Sequence, residues 1–77
     1  MADYPRHFDL DALFDFAHQL LAEAGDTPSD AARKIGKHRS TTKRALDRPD
    51  GNPTALVSIV EAYTGHTVRA YTEYELT

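Results

Sequence analysis

The chain has 77 residues, no cysteine, and nine Lys and Arg against twelve Asp and Glu, a net charge of −3. It is long enough for one domain and can hold neither a disulfide nor a thiolate metal site. No apolar run approaches the roughly 20 residues of a membrane helix, and no basic start followed by an apolar block suggests a signal peptide. A core of this size supplies only about 3–5 kcal/mol, so oligomerisation is the ordinary reinforcement. A soluble, cytoplasmic homodimer is the expectation.

Residues 1–8 show no period, contain Pro5, and read as a flexible N-terminal arm. Asp9 can cap a helix, its carboxylate accepting from free first-turn amides. Leu10, Leu13, Phe14, Ala17, Leu20, Leu21 and Ala24 then recur at helical spacing, one buried stripe of an amphipathic helix. Gly25 ends it. Phe16 falls off the stripe and reads as a core edge or a partner contact. His18 lies near the outer edge and reads as solvated.

Thr27-Pro28 starts a second, short helix, with Asp30 placed for a capping box. Ala31, Ala32 and Ile35 form its inner side, and Gly36 closes it. A third helix begins at His38 or Arg39 and runs to about Asp47. Thr42, Ala45 and Leu46 point inward; Arg39, Ser40, Lys43 and Arg44 point outward.

Residues 48–53, RPDGNP, form a turn cluster in which Asn52 caps and Pro53 opens the last helix. Leu56, Ile59, Val60 and Tyr63 repeat along that helix, with Val57 beside them, and Gly65 ends it. From residue 67 the period changes. Val68, Ala70, Thr72, Tyr74 and Leu76 alternate with Arg69, Tyr71, Glu73 and Glu75, the pattern of a strand with one buried face.

A lone strand leaves amides and carbonyls without partners. Antiparallel pairing with the same strand of a second copy satisfies them; a frayed tail or an edge packed on helices is the other reading. The expected fold is therefore mainly α: an arm over residues 1–8, four helices over 9–66, and a dimerisation strand over 67–77.

Charge is sorted along the chain. Arg33, Lys34, Lys37, Arg39, Lys43, Arg44 and Arg48 stand against Asp47 alone, seven cations to one acid, or +6. Residues 1–32 sum to −6 and residues 49–77 to −3. Cations gathered on two short helices point to a nucleic-acid backbone, with the acidic remainder orienting the basic face.

The stretch TPSDAARKIGKHRSTTKRAL, continued by NPTALVSIVEAYTGHTV, resembles the phage-repressor and Cro type of helix-turn-helix domain (lambda-repressor-like) over residues 10–66. The resemblance rests on the capped start at Thr27, Ala32, Ile35-Gly36, Arg39-Ser40-Thr41 and Asn52-Pro53-Thr54. It implies that the second motif helix, about residues 39–47, enters the major groove. Arg39, Ser40 and Lys43 then fall where family members touch base edges, Thr41 and Arg44 where base or phosphate contacts occur, and Arg48 and Asn52 where phosphates are approached. Lys37 and His38, at the turn, complete the implied DNA surface. Pro28 stands where a polar residue often clamps the backbone, Lys37 where an apolar residue is usual, and Thr42 where a larger aliphatic is usual. The family's last helix is replaced by the strand, as in Cro-like proteins and some antitoxins.

No catalytic constellation competes. His7, His18, His38 and His66 lack ligand-pair spacing, Ser40 has no adjacent histidine and acid, and no glycine-rich phosphate loop is present. Asp9, Asp11 and Asp15 read as a helix start complementing its dipole. The expectation is a non-enzyme without cofactor or metal: a Cro-like transcriptional repressor binding an inverted-repeat operator in double-stranded DNA. The alternative is an antitoxin whose acidic first helix, with Phe16 exposed, binds a toxin while the basic helix represses its own promoter.

Overall fold

The computed structural model describes residues 4–70 and 72–77. Each local start signal becomes a helix. In α1 (Leu10–Ala24) the Asp9 carboxylate accepts the Ala12 amide at 2.7 Å. In α2 (Pro28–Ile35) the Thr27 hydroxyl accepts the Asp30 amide at 3.3 Å, and the Asp30 carboxylate accepts the Thr27 amide at 2.9 Å. The Thr27 amide, then the Thr27 hydroxyl, hold the Asp30 carboxyl below its ordinary value, and Arg33 adds to them. α3 spans Arg39–Asp47. In α4 (Pro53–Thr64) the Asn52 side chain accepts the Ala55 amide at 3.1 Å. Such caps contribute about 1 kcal/mol each by satisfying first-turn donors.

The helices share one core. Leu13, Ala17, Leu20 and Leu21 of α1 belong to the same cluster as Leu56, Ile59 and Val60 of α4. Ala31 and Ala45 are fully buried, and their small side chains let α2 and α3 lie close to their neighbours. Burial of each Leu, Ile or Val contributes about 1.5–3 kcal/mol before entropy is counted. Thr42, also fully buried, keeps its hydroxyl satisfied by donating to the His38 carbonyl at 3.2 Å. Ala24, the last residue of α1, lies outside the core although it continues the stripe.

The termini depart from expectation. The C-terminal segment is not one strand but two: β2 (Val68–Ala70) and β3 (Tyr74–Leu76), paired antiparallel with Val68 opposite Leu76 and Ala70 opposite Tyr74. The chain reverses between them. Tyr71, expected on the outer face of a single strand, lies outside the described residues. The arm supplies a third strand, His7–Phe8, which precedes α1 and is labelled β1; it pairs antiparallel with β3, giving the order β1-β3-β2. Met1 to Asp3 of the expected arm also lie outside the described residues.

This removes the bookkeeping that called for a second copy, because β3 finds partners on both sides within one chain. Leu76 donates its amide to the Arg6 carbonyl at 2.8 Å, and Thr77 donates to the Thr67 carbonyl at 2.7 Å. Glu61 of α4 accepts the Val68 amide at 2.9 Å. Of the five residues expected to face a dimer partner, Val68, Ala70, Tyr74 and Leu76 do share one face of the sheet, but that face is covered unequally by the chain's own helices. Val68 and Leu76 are buried in the chain's own core, Tyr74 is half-buried, and Ala70 and Thr72 are exposed.

Phe16 is a core residue. It stacks on Phe8 of β1 at 5.0 Å between ring centroids and meets Tyr4 edge-on at 5.7 Å. The N-terminal segment thus covers the side chain that the sequence leaves off the stripe.

Candidate nucleic-acid interface

Three features hold α3 in place. At its start, Gly36 adopts φ 70°, a left-handed conformation that costs a side-chain-bearing residue about 1–2 kcal/mol. The Lys37 amide then reaches the Ala32 carbonyl and the Gly36 amide the Arg33 carbonyl, which closes α2 and turns the chain. His38 caps α3 through Nδ1, which accepts the Ser40 amide at 3.2 Å with the Ser40 hydroxyl 2.8 Å away. With Nδ1 accepting, the neutral ring carries its hydrogen on Nε2.

At its end α3 lacks a glycine cap, and Arg48 is extended. His18 of α1 supplies the missing partner, donating from Nε2 to the Leu46 carbonyl at 2.7 Å. His18 is exposed, as expected, yet its ring also bridges two helices, with Phe14 edge-on to it at 4.6 Å.

Beyond α3, Gly51 donates its amide to the Arg48 carbonyl at 3.1 Å and closes a turn with Pro49 in its second position. A β-carbon at residue 51 would fall on the Arg44 carbonyl oxygen, so only glycine lets this loop lie against α3. Gly51→Ala should therefore displace the loop and destabilise the fold by about 1–3 kcal/mol. Thermal unfolding reads this directly; an unchanged midpoint would show that the loop moves freely.

Three hollows border α3. The first, about 540 Å³, is lined by Ser40, Lys43, Arg44, Asp47, Arg48, Asp50 and Gly51. The second, about 580 Å³, lies among Pro28, Ser29, His38, Arg39, Ser40 and Lys43. The third, about 480 Å³, includes Ser29, Arg33, Lys37, His38 and Arg39. Neighbouring hollows share residues, so they form one continuous surface.

Six of the seven clustered cations line that surface. The seventh does not. Lys34 lies over the Tyr63 ring, 4.2 Å from its centroid. The Tyr63 hydroxyl donates to the Asp26 carboxylate. Burial first, and then Asp26, push this phenol far above its ordinary value. Lys34 therefore fastens α2 to α4, and the expected group of seven becomes six.

Of those six, Arg33 pairs with Asp30 and Lys43 with Asp47. Lys37, Arg39, Arg44 and Arg48 have no acidic partner among the described residues. Elsewhere Arg69 is engaged by Glu75 at 3.8 Å across the sheet. The free positive charge is concentrated around α3.

Seven of the nine sequence-derived DNA residues come together here: Lys37, His38, Arg39, Ser40, Lys43, Arg44 and Arg48. Thr41 is half-buried and lines none of these three hollows, and Asn52 spends its side-chain oxygen on the α4 cap. Sequence reasoning missed Ser29, which borders two hollows from α2, and His18, whose partner Leu46 is distant in the chain. Among the described residues no three His, Asp or Glu side chains converge as metal ligands, and no helix is long and apolar enough to cross a membrane. Comparison with protein-family models, with curated proteins and with solved structures finds no match to this chain.

Proposed function

We propose that this protein binds double-stranded DNA as a helix-turn-helix transcriptional regulator, with α2 and α3 as the motif and α3 as the groove-entering helix. One observation carries the reading: six cations line a continuous surface around α3, four of them without an acidic partner among the described residues, in a chain that is net acidic. A short helix fixed at both ends would present Arg39, Lys43 and Arg44 to a major groove, with Arg33, Lys37 and Arg48 beside it. Phosphate contacts would position the domain, and Arg39, Ser40 and Lys43 would reach base edges. By occupying an operator that overlaps a promoter, the protein would act as a repressor. The toxin-binding alternative has lost the side chain on which its surface was drawn, since Phe16 lies in the core.

The test is fluorescence anisotropy with a mixed-sequence duplex, followed by selection from a random DNA pool. Four neutralised phosphates give a log–log salt slope of about −3.6, so affinity should fall about 100-fold between roughly 50 and 200 mM salt. Selection should return an inverted repeat if two copies bind, and the titration gives their number. Absence of binding at the lower salt would end the proposal.

A further inference from the structure

The cations around α3 share their surface with two acids. Asp47 and Asp50 line the same hollow as Lys43, Arg44 and Arg48. Asp47 is the last residue of α3, and its carboxylate lies 3.2 Å from the Lys43 ammonium. A carboxylate there is unfavourable on local grounds, because a helix C-terminus already carries partial negative charge. Lys43, like Arg39, borders two of the three hollows, which places it centrally on the surface. Asp47 competes with any phosphate for it.

We propose that Asp47 is a specificity-determining residue that suppresses sequence-independent DNA binding. The inference rests on the DNA-binding reading above. Binding to arbitrary sequence is almost entirely phosphate neutralisation. In this protein one central cation is already neutralised, and its carboxylate partner adds repulsion beside the groove. Both effects weaken every non-specific complex. At a preferred sequence, a base edge can take Lys43 and offset the lost ion pair. Selectivity is the difference between these two cases, and a built-in repulsive group widens it. The Lys43 and Asp47 side chains are 66% and 56% exposed, so the pair opens readily and acts as a bias.

The test is Asp47→Asn, which keeps the side chain's size and relieves the helix end, so the fold should persist. Affinity is measured across salt for a mixed-sequence duplex and for the duplex that the wild-type protein enriches from a random pool. On the mixed duplex at about 0.1 M salt, binding should tighten about five-fold and the slope should steepen by about 0.9. The enriched duplex should gain less, so the ratio of the two affinities falls. In a Lys43→Met background the steepening should vanish. Unchanged affinity and slope in a variant with intact circular dichroism overturns the inference while wild-type binding upholds the DNA reading. Equal tightening on both duplexes overturns it too. A wild-type protein that binds neither duplex overturns the reading itself, and the inference with it.

Discussion

Phe16→Ala should lower the unfolding free energy by about 3–5 kcal/mol, the cost of truncating a buried aromatic ring. The ring is 6% exposed and lies between the first helix and the N-terminal segment, stacked on Phe8 and edge-on to Tyr4. Removing it leaves a cavity and takes away the surface on which β1 rests. A domain of 77 residues has only about 4–12 kcal/mol in total, at 0.05–0.15 kcal/mol per residue. The variant should therefore be partly unfolded at ambient temperature or melt well over 10 °C lower, since each kcal/mol is about 4–8 °C in a domain this small. Urea unfolding at equilibrium measures it. A loss below about 1 kcal/mol would put Phe16 back on the surface and restore its reading as a partner contact.

The second large effect separates two kinds of cation. Arg39 opens α3, borders two hollows and has no acidic partner among the described residues. Arg48 sits just beyond α3, in the turn closed by Gly51. Arg39→Ala should weaken binding to the enriched duplex about 10- to 100-fold and relax preference at one base pair, a loss of about 1–3 kcal/mol for a bidentate base contact. Arg48→Ala should weaken all duplexes alike and flatten the salt slope by about 0.9. Competition with single-base variants of the enriched duplex distinguishes the two. An Arg39→Ala protein with an unaltered base preference would confine Arg39 to phosphate contact.

The helices were legible because their signals are local. Asp9 and Gly25, Thr27-Pro28 and Gly36, Asn52-Pro53 and Gly65 each lie within one residue of a helix end. The sheet was not, because β1 pairs with a segment at the far end of the chain and two residues carry no periodicity. The alternation over residues 67–76 is real in β2 and β3, yet it runs unbroken across a reversal that no glycine or proline marks. The basic surface was legible as composition. Which cations it keeps was not: Lys34 leaves it for Tyr63, a partner in another helix. His18 escaped for the same reason, since nothing near it in sequence announces the Leu46 carbonyl.

The three-stranded order β1-β3-β2 has a kinetic side. Bringing His7 beside Glu75 closes a loop through all four helices, and loop entropy must be lost before the few sheet bonds form. Helices joined by short turns assemble through near-neighbour contacts, which form early. By the same argument β1, and not the local β2–β3 hairpin, is expected to dock last during folding and to detach first when the molecule opens.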